Sequence, residues 1–123
     1  MKRITGFTLI EIMVTLAILG IIVVIAVPVY NERVVQARRN DAKQQLLRLQ
    51  LAQEQYRLEN NAYATTAQLG VPVTDWYTYN VVAQSATGYT LSATAKGAQT
   101  DDEAACQTLT LDQSMTKTPA ACW

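Results

Sequence analysis

Gly6-Phe7-Thr8-Leu9-Ile10-Glu11, followed by the charge-free run Ile12–Tyr30, is the stretch on which the reading of this 123-residue chain turns. As a helix, the nineteen residues from Ile12 to Tyr30 span about 28 Å, close to the hydrocarbon thickness of a bilayer. A cleavable secretory signal has a shorter apolar region with small residues after it. Here the order is inverted. The small residue, Gly6, comes first, behind a short leader carrying Lys2 and Arg3. A cut between Gly6 and Phe7 discards the charged leader and leaves the whole hydrophobic helix on the product. Glu11 is the second anomaly, because a carboxylate in an apolar helix is costly in lipid and implies a partner. After such a cut, the new α-amine of Phe7 lies one helical turn from Glu11, an i to i+4 relation. Pairing with the amine of a neighbouring chain sets the stagger between packed helices, since a misregistered chain buries an unpaired carboxylate.

Working outward, residues 31–61 are helical in character, with no proline or glycine before Gly70. Val35, Ala42, Leu46, Leu49 and Tyr56 form one apolar stripe, and Leu47, Leu51 and Leu58 are expected to widen it, with arginines and glutamines on the other side. The basic residues Arg38, Arg39 and Lys43 read as a solvated face, or as contacts to lipid headgroups or neighbouring chains. The helix is expected to end near Asn60-Asn61. Residues 62–75 read as a loop punctuated by Gly70 and Pro72. Strand signals follow over residues 76–83, then in the alternation of Tyr89, Leu91, Ala93 and Ala95, then in Leu109 and Leu111, with a turn at 85–88. The expected fold is α+β, with a long N-terminal helix packed on a small antiparallel sheet. The expected divisions are a leader at 1–6, the transmembrane and assembly helix at 7–61, and a globular head at 62–123.

Composition excludes several functions. The chain has no histidine, and no nucleophile–base motif, phosphate loop or metal-ligand spacing, so neither an enzyme nor a cofactor is expected. Residues 62–123 hold Lys96 and Lys117 against Asp75, Asp101, Asp102, Glu103 and Asp112. Such an acidic head repels phosphate, so strong nucleic-acid binding is not expected. Asp101-Asp102-Glu103 reads either as a solvated acidic turn or as carboxylate oxygens for calcium, without a full ligand set. Tyr56, Tyr63, Trp76, Tyr77 and Tyr79 read as core rather than as a stacking surface for single strands. Cys106 and Cys122, an even count behind an export-like N-terminus, read as a disulfide formed in an oxidising compartment. Their sixteen-residue separation closes a loop worth about 3 kcal/mol in the chain-entropy model.

The basic leader, Gly6-Phe7-Thr8-Leu9-Ile10-Glu11 and the long aliphatic helix together resemble the signature of type IV prepilins. The resemblance covers about the first thirty residues. It implies a prepilin peptidase cutting after Gly6, N-methylation of Phe7, and Glu11 as the assembly carboxylate. Gly20 and Pro28 match positions between which family filaments tend to lose helicity. Proline lacks a backbone donor and clashes with the Val24 carbonyl, and glycine lowers helix propensity. The tail from Cys106 to Leu111, closed by Cys122-Trp123, looks most like the minor-pilin branch. The resemblance implies a single-pass inner-membrane precursor with a periplasmic C-terminus, then an extracellular fibre. Its partners are other pilin subunits, the peptidase and an inner-membrane assembly platform. The implied role is a minor pilin that copolymerises with a major pilin in a fibre for adhesion and twitching motility. A type II secretion pseudopilin and a DNA-uptake competence pilin are the alternatives. The positive-inside count opposes this orientation, since Arg33, Arg38, Arg39 and Lys43 outnumber Lys2 and Arg3. The cysteines and the cleavage site favour it.

Overall fold

Helix α1, Leu9–Asn60, is one continuous element, and it leads to a small head. The computed structural model describes residues 6–123; the leader positions before Gly6, with Lys2 and Arg3, lie outside them. The chain divides into two compact units, one ending at Val34 and the other comprising Val35–Trp123. In the first unit, every residue from Gly6 to Arg33 is exposed. Helix α1 is long and apolar enough, near its N-terminus, to cross a membrane. It is helical through both Gly20 and Pro28 in the single chain. A Cβ added at Gly20 meets nothing within 4 Å, so packing inside the chain does not require that glycine.

The second unit buries the other stretch of α1. Ala42, Leu46 and Leu49 sit in one cluster with Tyr63, Tyr77, Tyr79, Tyr89, Leu91, Leu109 and Leu111. The 3.6-residue stripe and the period-2 strands thus meet face to face. The expected widening of the stripe is corrected in part. Leu47 packs against the core, but Leu51 and Leu58 are 72% and 87% exposed. At 100° per residue both point away from Leu46. The glutamines are corrected too, because Gln50 and Gln53 are buried. Gln53 lies seven residues after Leu46, on the stripe itself. Its amide clamps Ala64, donating to the carbonyl at 2.8 Å and accepting from the N–H at 2.7 Å. The helix stops where expected, with Asn61 left-handed at φ 53 as the residue beyond its end.

Residues 62–75 are not all loop. Helix α2, Thr66–Leu69, occupies one turn and is ended by left-handed Gly70 at φ 66. The sheet comprises β1 Tyr77–Gln84, β2 Tyr89–Ala95, β3 Thr108–Asp112 and β4 Lys117–Thr118, an antiparallel meander in sequence order. Pairing places Tyr79, Ala93 and Leu109 in one row, and Val81, Leu91 and Leu111 in the next. The fourth strand is an addition to the three expected. At two residues it is too short to show a period. The open edge of β1 is occupied by threonines. Tyr77 N–H donates to Thr74 Oγ1, which donates to the Tyr77 carbonyl, and Val81 N–H donates to Thr66 Oγ1. Val73 adds an isolated antiparallel bridge to Thr78.

Candidate assembly site

The site begins at the start of α1. Thr8 precedes the helix, and its hydroxyl accepts the Glu11 N–H at 3.3 Å, while its carbonyl accepts the N–H of Ile12. Thr8-Leu9-Ile10-Glu11 is therefore a helix-start signal, within the stretch expected to direct processing. The Thr-x-x-Glu spacing of a capping box was its sequence cue. Phe7, two residues before the helix, is 80% exposed, and Glu11, in its first turn, is exposed too. Gly6 is exposed, and a Cβ there meets nothing within 4 Å. The backbone on both sides of the Gly6–Phe7 bond is thus accessible. Phe7 and Glu11 lie four residues apart at the start of the helix, whereas Gly20 and Pro28 lie further along it.

A second set of charges is internal to the head. Arg39 forms a two-point pair with Asp102, its Nε donating to Oδ2 at 2.8 Å and its Nη2 to Oδ1. Asp102 is buried, which corrects the solvated-turn reading at that residue, and its hydrogen bonds to Arg39 hold the guanidinium pKa above its usual value. Asp101 and Glu103 remain exposed. Among the described residues, no group of three histidines, cysteines or carboxylates is placed to hold a metal ion. Gln99 Nε2 donates to Val35 O, Tyr77 Oη and Asp102 Oδ2 at 3.0, 3.1 and 3.4 Å. Three acceptors around one nitrogen fix the amide and leave Gln99 Oε1 buried without a partner. Arg38 stacks on Trp76 with its guanidinium carbon 3.5 Å from the ring centre. Arg38 and Arg39 are therefore engaged within the head rather than solvated.

The aromatic residues are mainly core. Tyr63, Tyr77 and Tyr79 are buried, while Tyr56 and Trp76 are partly exposed. Burial pushes the Tyr77 phenol up, that of Tyr79 to about 12, and that of Tyr89 higher still, so all three stay neutral at ordinary pH. Cys106 and Cys122 form the expected disulfide, with Cα atoms 5.5 Å apart, tying the tail to the segment before β3.

With this geometry in hand, comparisons with known proteins converge. Residues 28–110 match the family model described as type IV minor pilin ComP, DNA uptake sequence receptor. Residues 1–27 match the prokaryotic N-terminal methylation motif. The chain belongs to the type IV pilin family, in the minor-pilin group that the first model describes. Over 109 residues it is 32% identical to the type IV wide pilus major component PilA4 of Thermus thermophilus, covering 79% of this chain and 78% of that one. It is 44% identical over 64 residues to the type II secretion system core protein G of Pseudomonas aeruginosa, covering 52% of this chain and 45% of that one. The chain thus spans about half the length of that relative. A type IV pilin structure from Shewanella oneidensis superposes with TM-score 0.61 at 27% identity, covering 72% of this chain and 97% of that one.

Proposed function

We propose that the chain is a minor subunit of a type IV pilus, a non-enzymatic fibre component that copolymerises with a major pilin through its N-terminal helix and supports fibre assembly for adhesion and twitching motility. The precursor is held by α1 in the inner membrane with its C-terminus in the periplasm. A prepilin peptidase cuts between Gly6 and Phe7, the Phe7 nitrogen is methylated, and an inner-membrane platform moves the product into the fibre. The leader at 1–6, the helix at 7–61 and the head at 62–123 are the working divisions. Loss of helicity between Gly20 and Pro28 belongs to the packed filament on this reading. The observation that carries the proposal is the charge-free run Ile12–Tyr30, exposed at every residue, with the Glu11 carboxylate just before it, beside the future N-terminus. Water does not tolerate such a surface, so lipid and then other helices must cover it.

Mass spectrometry of the mature protein is expected to give a first residue of N-methylated Phe7, and sheared fibres are expected to contain it. A mature chain that retains residues before Phe7, or begins within the apolar run, contradicts the proposal. Fibres that survive gene deletion while secretion of a folded exoprotein stops favour a pseudopilin instead.

The description of the matching family model favours one further reading, DNA uptake. The head argues against strong binding, because five acids face two bases over residues 62–123 and Arg39 is already neutralised by Asp102. Duplex affinity of assembled fibres is expected to be the same with and without this subunit at physiological salt. A subunit-dependent gain that persists at that salt establishes the receptor role.

A further inference from the structure

The turn between β3 and β4 holds a backbone feature that its residue type does not explain. Among the described residues, Asn61 and Met115 are the non-glycine residues with positive φ, 53 and 64. Asparagine adopts that region readily, whereas a bulky side chain there is an outlier. The turn does not need the methionine side chain, because Asp112 closes it. Asp112 Oδ1 accepts the N–H groups of Ser114 and Thr116 at 2.8 and 2.9 Å, and its carbonyl accepts that of Met115 at 3.1 Å. Glycine serves such a position with less strain. What the methionine adds is a reach to α1. Its Sδ accepts from Nε2 of Gln50, a buried amide, while Met115 itself is 52% exposed. A thioether is a weak acceptor, so this buried donor is poorly satisfied.

We infer that Met115 is a reversible oxidation site whose sulfoxide latches the β3–β4 turn to α1 through Gln50. The co-reactant is a hydroperoxide, of which hydrogen peroxide is the simplest. A sulfur lone pair attacks one peroxide oxygen, the S–O bond forms and the O–O bond breaks. The departing hydroxide takes the remaining proton and leaves as water, so sulfur is oxidised and the peroxide reduced. The product carries a strongly accepting oxygen on a side chain that already lies at the Gln50 amide. Oxidation of a fully buried methionine disrupts a core. Here the sulfur belongs to a half-exposed residue, so its new oxygen meets water or the amide and none of that penalty applies. Competing sulfurs are few. Cys106 and Cys122 are joined, and Met13 lies in the apolar run that lipid covers on the pilin reading, which leaves Met115 as the oxidisable sulfur of the head.

The test uses the full detergent-solubilised chain and hydrogen peroxide. Peptide mass mapping is expected to place one added oxygen on Met115, at a rate within about threefold of free N-acetyl-methionine amide. Circular dichroism is expected to show Tm raised by about 4 °C in the oxidised chain. Methionine sulfoxide reductases of both stereospecificities, applied together, are expected to remove the oxygen and the rise. Met115→Leu under the same treatment is expected to show no rise, which separates Met115 from Met1 and Met13. Gln50→Leu is expected to keep the oxidation and lose the rise. Four results overturn the latch and leave the pilin reading intact. Met115 stays unmodified while the free derivative is consumed, Tm falls or is unchanged on oxidation, the rise survives either substitution, or the reductases leave the oxygen in place.

Discussion

Glu11→Val is expected to leave the precursor at its normal membrane level and to remove the mature chain from fibres. The substitution takes a carboxylate out of an apolar helix, which on insertion scales relieves about 3 kcal/mol, so insertion is if anything eased. Assembly moves the other way. On the pilin reading, the amine of a neighbouring Phe7 loses the only acid offered by the first turns of α1, and stays buried without a counter-charge. Removing one partner of a buried pair costs about 3–5 kcal/mol, a hundredfold or more in incorporation. Glu11→Gln separates charge from shape, because the amide keeps the size and hydrogen-bonding atoms but not the charge. It is expected to fail nearly as badly. The measurement is the ratio of chain in sheared fibres to chain in membranes. A ratio unchanged by valine shows that the acid is dispensable.

The second large effect is on the head. Asp102→Ala takes from the partly buried guanidinium of Arg39 both acceptors of its bidentate hydrogen bonds and leaves it only the exposed Glu103 carboxylate, 3.8 Å away. The head is expected to lose about 3 kcal/mol, a fall of about 10–20 °C in Tm for a unit of this size. Replacing both partners, Arg39→Met with Asp102→Leu, removes the charge that the single change strands, and is expected to recover most of the loss. Thermal unfolding of the detergent-solubilised chain, followed by circular dichroism, measures both. If the double variant is as unstable as the single one, the pair itself is a net contributor. If Asp102→Ala melts normally, the pair is irrelevant.

The legible parts of the molecule were those written in local order. The apolar run Ile12–Tyr30 and the alternation at Tyr89, Leu91, Ala93 and Ala95 each need only adjacent residues to be read, and they form a helix and a strand. Long-range partnerships were not readable. Arg39 and Asp102 lie 63 residues apart, and nothing in either neighbourhood announces the other. Gln53 was assigned to the wet side by its residue type, although its position on the stripe of Leu46 and Leu49 had already placed it inside. Leu51 and Leu58 show the converse error, since apolar character suggested core where helical phase pointed outward. Cysteine pairing was readable because two cysteines allow one bridge.

The threonine-lined edge of β1 sets which polymer this subunit can form. Bare strand edges invite edge-to-edge addition of sheets, the route by which small β domains aggregate. Here Thr74 already occupies the N–H and carbonyl of Tyr77 and Thr66 the N–H of Val81, and the far edge, β4, is two residues long and begins with Lys117. The capped edge therefore disfavours sheet-to-sheet addition between heads and leaves the exposed helix as the surface open to association. Thr66→Val removes the hydroxyl that Val81 N–H uses, and with it one of the locks that keep the β1 edge from pairing with another head.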